Sequence, residues 1–107
     1  MPAGIDENCP LRKTIDAVGG RWKTIIVYHL LKRAYHFGEL RRELGDISPK
    51  VLTEKLCELE EVGVIERTPY EDSLGRVQYS ITPRGRSLNA VIRCMIDWGE
   101  QVNVPAG

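Results

Sequence analysis

The stretch from Phe37 to Val62 constrains this chain more than any other, because it reads as two short helices joined through a glycine turn. Phe37, Leu40 and Leu44 recur at helical spacing and give the first helix one apolar stripe. Gly45 ends it, since glycine takes the left-handed backbone that a helix end requires. After Ile47, Ser48-Pro49 restart the chain as N-cap and first helical residue. The second helix is expected to bury Leu52, Leu56 and Leu59, which leaves Lys50, Thr53, Glu54 and Cys57 on the opposite, polar face. A short helix, a glycine turn and a second helix with one polar face form the helix-turn-helix pattern, whose second helix enters the major groove of DNA.

Charge and cysteine content narrow the alternatives. Fifteen basic and fifteen acidic side chains cancel, unlike a non-specific nucleic-acid coat protein, which is strongly basic. A sequence-specific binder needs cations on one face only. Between Lys32 and Lys50 the chain carries Lys32, Arg33, Arg41, Arg42 and Lys50 against Glu39, Glu43 and Asp46. Cys9, Cys57 and Cys94 are an odd number and widely scattered, which argues against a disulfide scaffold. With no CxxC or HExxH spacing and only His29 and His36 as histidines, neither a metal nor a cofactor is expected. No apolar run approaches the roughly 20 residues of a membrane helix, and no signal-peptide core precedes the first helix, so a cytoplasmic protein is expected.

At 107 residues the chain is long enough for one core and one domain. Residues 1–8 read as a flexible leader and 9–107 as the domain. Cys9-Pro10 opens a helix that Gly19-Gly20 ends after Val18. Trp22, Ile25, Ile26, His29 and Leu30 line one side of a longer helix reaching about Arg33, with Trp22 a packing residue. After Gly63 the period changes. Val64–Thr68 and Val77–Ile81 are β-branched and aromatic-rich and read as strands, joined by a long exposed tip from Pro69 to Arg76. Thr82-Pro83 starts a last helix, about residues 83–103, carrying Leu88, Val91, Ile92, Met95, Trp98 and Val102 near heptad spacing. The expected fold class is mainly α with a small β-hairpin (α+β), a winged helix-turn-helix flanked by N- and C-terminal dimerisation helices.

In the order and spacing of its short motifs, the chain resembles the HxlR-type transcriptional regulators, winged-helix proteins related to the MarR group. The resemblance runs from Cys9 to Val102. It rests on Cys9-Pro10, Gly20-Arg21-Trp22, Phe37-Gly38-Glu39-Leu40, Ile47-Ser48-Pro49-Lys50-Val51-Leu52-Thr53, Leu59-Glu60, Gly63-Val64-Ile65, Arg67, Val77-Gln78-Tyr79 and Ile81-Thr82. It implies a homodimer on operator DNA, and in some members a cysteine matching Cys9 senses electrophiles or oxidants. Three positions depart from the usual pattern. His36 stands where arginine is usual before the phenylalanine, Leu74-Gly75 replaces a proline-rich wing tip, and Gln78 replaces a glutamate. Cys57 stands where related sequences often carry arginine.

The candidate DNA contacts follow from side-chain chemistry. Lys50 can donate to guanine, Thr53 can meet a base edge or a thymine methyl, and Glu54 can accept from cytosine; Ser48 lies at the same helix end. Lys55, nearer the flank, suits phosphate, as do Arg41, Arg42 and His36. Arg76, on the outgoing side of the wing, is placed to reach a phosphate or the minor groove. A solvated helix face is the alternative for all of them. Cys9, at an N-cap with Arg12 and Lys13 close by, is a candidate sensing thiol, because helix amides and cations both favour thiolate. An inert, packed thiol is its alternative.

Val91, Met95, Trp98 and Val102 are more apolar surface than so small a core can cover, which points to a second copy of the chain. Cys94 would be buried at that seam. The expected function is a homodimeric regulator, not an enzyme, that binds a pseudo-palindromic operator and blocks transcription, with an oxidant or small molecule as effector. The rival is a winged-helix protein-interaction module without a DNA function.

Overall fold

Proline and glycine set most of the element limits. In the computed structural model, residues 8–70 and 75–102 are described; the expected leader, apart from Asn8, and residues 71–74 of the wing tip lie outside that set. The order is α1 (Pro10–Val18), α2 (Lys23–Lys32), β1 (Tyr35–His36), α3 (Phe37–Leu44), α4 (Pro49–Glu61), β2 (Ile65–Pro69), β3 (Val77–Ile81), α5 (Pro83–Arg86) and α6 (Asn89–Gln101). Prolines open α1, α4 and α5, each at a first helical position where an N–H would have no partner. Gly45 closes α3 with φ of +81°, a backbone that other residues rarely adopt.

The leucine stripes pack as expected. Leu40, Leu52, Leu56 and Leu59 are almost wholly buried, with Ile47, Val64 and Ile65 around them. The second layer of the core comes from α2. This helix touches α1, α3, α4, α5, α6 and β3, so it buries more than the single side expected of it. Val27, outside the expected stripe, is fully buried beside Ile26 and Leu30, whereas Ile25 is exposed. A helix covered from several directions has no single apolar stripe, which is why its sequence is apolar almost all round.

The sheet has three strands, not the two expected. All pairings are antiparallel in the order β1-β3-β2, with Ile65 opposite Ile81 and Pro69 opposite Val77 in the hairpin. Tyr35 and His36 add to the other edge of β3, opposite Tyr79 and Gln78. Two residues are too few to show a period-2 pattern, so β1 exists only because β3 offers it a ladder.

The expected last helix is two. Thr82 caps α5, its hydroxyl lying 3.0 Å from the Gly85 N–H it accepts from and 2.6 Å from the Gly63 carbonyl it donates to. Gly85 is pressed so close to Val64 that a Cβ there would fall 2.2 Å from the Val64 carbonyl oxygen. After one turn the chain bends through Ser87 and Leu88 before α6 begins. Val102 lies just past α6 as its C-cap. Among the described residues, no helix is long and apolar enough to cross a membrane.

Candidate nucleic-acid interface

The polar face of α4 is built by the same residues that bury its leucines. Ser48 has extended backbone, and its hydroxyl accepts from the Val51 N–H at 3.1 Å, so the helix starts with its first turn held. From that start Lys50, Thr53, Glu54 and Cys57 all stand exposed. Among the described residues neither Lys50 nor Glu54 has an ion-pair partner, so both charged members of this row keep their charge available to a ligand. Lys55 is half-buried on the flank, with its Nζ 3.5 Å from Glu58 Oε2.

The start of α3 and the base of the wing line a cleft of about 490 Å³, formed by His36, Phe37, Gly38, Glu39, Arg42, Gly75, Arg76 and Val77. The exposed Arg42 guanidinium folds back over the start of α3, with Nη1 3.8 Å from where a Cβ on Gly38 would sit. Arg76, also exposed, lies with its guanidinium carbon 5.7 Å from the Tyr70 ring centre. The cleft also holds one carboxylate. Glu39 Oε1 accepts from the His36 backbone N–H at 2.9 Å and from the His36 ring at 2.6 Å, while Oε2 lies 3.8 Å from Arg33 Nη1. The His36 N–H, then its ring, hold the Glu39 carboxyl below the usual carboxylate range. Because an ionised carboxylate only accepts, His36 Nδ1 carries the proton.

His36 is held from within the protein on one side of its ring. Its Nδ1 is engaged with Glu39, and its ring stacks on Tyr70 with centroids 4.5 Å apart. Arg41 is exposed, with Nε donating to the Ile47 carbonyl at 3.4 Å, a bond that braces the turn before α4. The structure thus brings Lys50, Thr53 and Glu54 into one row and Arg42 and Arg76 into one cleft. Tyr70 escaped sequence reasoning, because an aromatic at a strand end carries no signal for a partner 34 residues earlier.

Away from this face, Cys9 is the half-buried N-cap of α1; its thiol makes no capping bond, and its carbonyl accepts from the Lys13 N–H at 3.0 Å. Arg12 is paired with Asp16 at 3.8 Å. Val91, Met95 and Trp98 are exposed at 43%, 52% and 66%, and α1 adds Leu11 at 60% and Ile15 at 52%. Val102 is half-buried, and Cys94, expected at a seam between two copies, is exposed in the single chain on the same stretch of α6.

A polar helix presented beside a hairpin on a helical core defines a winged helix-turn-helix, a class of DNA-binding domain. The comparisons make this specific. The family model described as HxlR-like helix-turn-helix matches residues 17–106. The chain is similar to the uncharacterised HTH-type transcriptional regulator YdeP of Bacillus subtilis strain 168, with 44% identity over 95 residues that span 89% of this chain and 74% of that protein. Among solved structures it is similar to the redox regulator HypR in its oxidised form, at 37% identity and a TM-score of 0.85, covering 91% of this chain and all of that one. It is also similar to the reduced transcriptional regulator YodB from Bacillus subtilis, at 31% identity and a TM-score of 0.77, covering 92% and 98% of the two chains. This chain belongs to the HxlR-like helix-turn-helix family, and its class of activity is DNA-binding transcriptional regulation.

Proposed function

We propose that the chain is a homodimeric repressor, without catalytic activity, that lays one α4 per protomer into successive major grooves of a pseudo-palindromic operator. The observation that carries this reading is the row of Lys50, Thr53 and Glu54, exposed together on a helix whose start is fixed by Ser48. These three read bases. Arg42, Arg41, Lys55, His36 and Arg76 hold the sugar-phosphate backbone and place the helix in register. The apolar residues of α6, joined by Leu11 and Ile15 of α1, form the seam between two copies. Residues 9–107 act as one such unit, in the cytoplasm where the operator lies.

Cys9 is the sensing thiol in this reading. Support comes from its N-cap position and from the likeness to a redox regulator solved in oxidised form. An oxidant is accordingly the effector. Oxidation at the start of α1, next to the seam, would alter how the two copies meet and release the operator.

The deciding experiment is fluorescence anisotropy of the reduced protein on its own upstream DNA, beside a scrambled duplex, at two salt concentrations. Preferential binding that weakens steeply with salt is expected. Lys50→Ala should erode the preference between duplexes, whereas Arg42→Ala should weaken both equally. Added oxidant should release the wild type but not Cys9→Ser. No binding to either duplex at low salt would favour a protein-interaction module instead, a role that the balanced charge of 15 basic and 15 acidic groups permits.

A further inference from the structure

We propose that Tyr70 is a positioning residue for DNA binding: it pins the base of the wing to the helix-turn-helix and so sets where Arg76 meets the duplex. This rests on the reading above that Arg76 contacts the DNA backbone. Tyr70 directly follows β2, and its N–H donates to the Arg76 carbonyl at 2.8 Å, one step beyond the Pro69–Val77 pair. Its side chain reaches back across the sheet. The hydroxyl donates to Gln78 Oε1 on β3, and the ring stacks on His36 of β1 at 4.5 Å and 25° between planes. His36 is in turn fixed by its pairing with Gln78 and by Glu39, the third residue of α3. One aromatic ring thus joins the wing, the sheet edge and the first helix of the motif, with the Arg76 guanidinium within 6 Å of it.

The physical consequence follows from the wing's own weakness. A two-stranded ribbon that extends beyond its sheet is marginal by itself and free to twist. Anchored at its base, it presents Arg76 in a narrow range of positions, and little freedom is then lost when a phosphate is bound. Released, it makes Arg76 search for the contact, and the contact is diluted over many poses.

Salt dependence separates this role from simple structural support. In anisotropy titrations over a salt series on the preferred duplex, Arg76→Ala should reduce the slope of log affinity against log salt by about 0.9 per engaged wing. Tyr70→Ala should reduce it by nearly as much, although it removes no charge. Tyr70→Phe keeps the stack and should keep the slope, and Tyr70→Ala with Arg76→Ala together should fall no further than Arg76→Ala alone. A Tyr70→Ala protein with the wild-type slope, even one that binds more weakly, would overturn the proposal. Should that variant lose helical signal, Tyr70→Leu, which keeps bulk without a ring, answers the same question. An unchanged slope in Arg76→Ala would overturn the underlying contact itself, and the two failures are told apart by which variant departs.

Discussion

His29 shows what burial does to one ionisable side chain. It sits between the rings of Tyr28 and Tyr35 in edge-on contacts at 5.1 and 6.0 Å, and its Nδ1 is buried with no hydrogen-bond partner among the described residues. Burial, aided by Lys32 and opposed by Glu43, pulls its pKa below the ordinary value of 6.5. The folded state therefore favours the neutral ring. Above about pH 6.5 both states are neutral and nothing is lost; as pH falls below that value the unfolded chain takes up the proton first, and stability drops until the lowered folded pKa is reached. The melting temperature should fall as the pH drops below the ordinary histidine value of 6.5, and His29→Phe should flatten that fall. A variant with the wild-type slope would assign the acid sensitivity to other groups. Helical spacing places His29 on the packed side of α2, but spacing carries no information on whether a ring nitrogen finds a partner. That depends on β1, a strand the sequence does not announce.

At the scale of elements, two caps that look alike in sequence carry different loads. Ser48-Pro49 and Thr82-Pro83 are both N-cap and first-residue pairs, and both were legible as helix starts. The Ser48 hydroxyl serves its own helix only, through Val51. The Thr82 hydroxyl caps α5 and also bonds the Gly63 carbonyl where α4 hands over to β2, while the Thr82 N–H donates to the Val64 carbonyl at 3.1 Å. Loss of a local cap costs about 1 kcal/mol, and leaving half-buried partners unpaired adds about as much again. In urea denaturation Ser48→Ala should therefore lose about 1 kcal/mol and Thr82→Ala about 2 kcal/mol. Equal losses would mean that the Gly63 bond adds nothing. The same junction explains the break in the expected last helix. Apolar spacing from Leu88 to Val102 reads as continuous with Pro83, whereas the close approach of Gly85 to Val64 bends the chain after one turn.

For the whole molecule, the unpaired apolar face is the dominant fact. Trp98, Met95 and Val91 on one stretch of α6, and Leu11 and Ile15 on α1, stand in solvent in a single chain, and exposed apolar surface of this kind usually marks an interface. In the proposed homodimer, a two-fold axis through this face sets the two α4 helices about 34 Å apart, or a multiple of it, along the operator. A carboxylate in the middle of such a seam would be buried without a partner. Trp98→Asp should sediment as a monomer and bind the operator weakly, since one recognition helix cannot span two half-sites. A dimeric Trp98→Asp would move the seam elsewhere. The exposure of Val91, Met95 and Trp98 was legible from their heptad spacing, and an N-terminal dimerisation helix was expected beside them; that Leu11 and Ile15 are its exposed residues was not legible, because both read equally well as core.

Local chemistry alone settled the helix-turn-helix of this chain, because its signals act within a few residues. A leucine repeat turns every 3.6 residues, Gly45 takes a backbone others avoid, and Ser48-Pro49 and Thr82-Pro83 satisfy or omit orphan amides. The same reach of a few residues placed the wing strands and the exposed row of Lys50, Thr53 and Glu54. The tertiary structure decided what depends on distant partners. Tyr35-His36 became a strand because β3 had a free edge, Val27 was buried because helices close over α2 from several sides, and Gly85 bent the last helix against Val64. The ring of His36 stacked on Tyr70, 34 residues later in the chain. Hydrogen-bond ladders, stacking and close packing join residues tens of positions apart, and no local pattern records them.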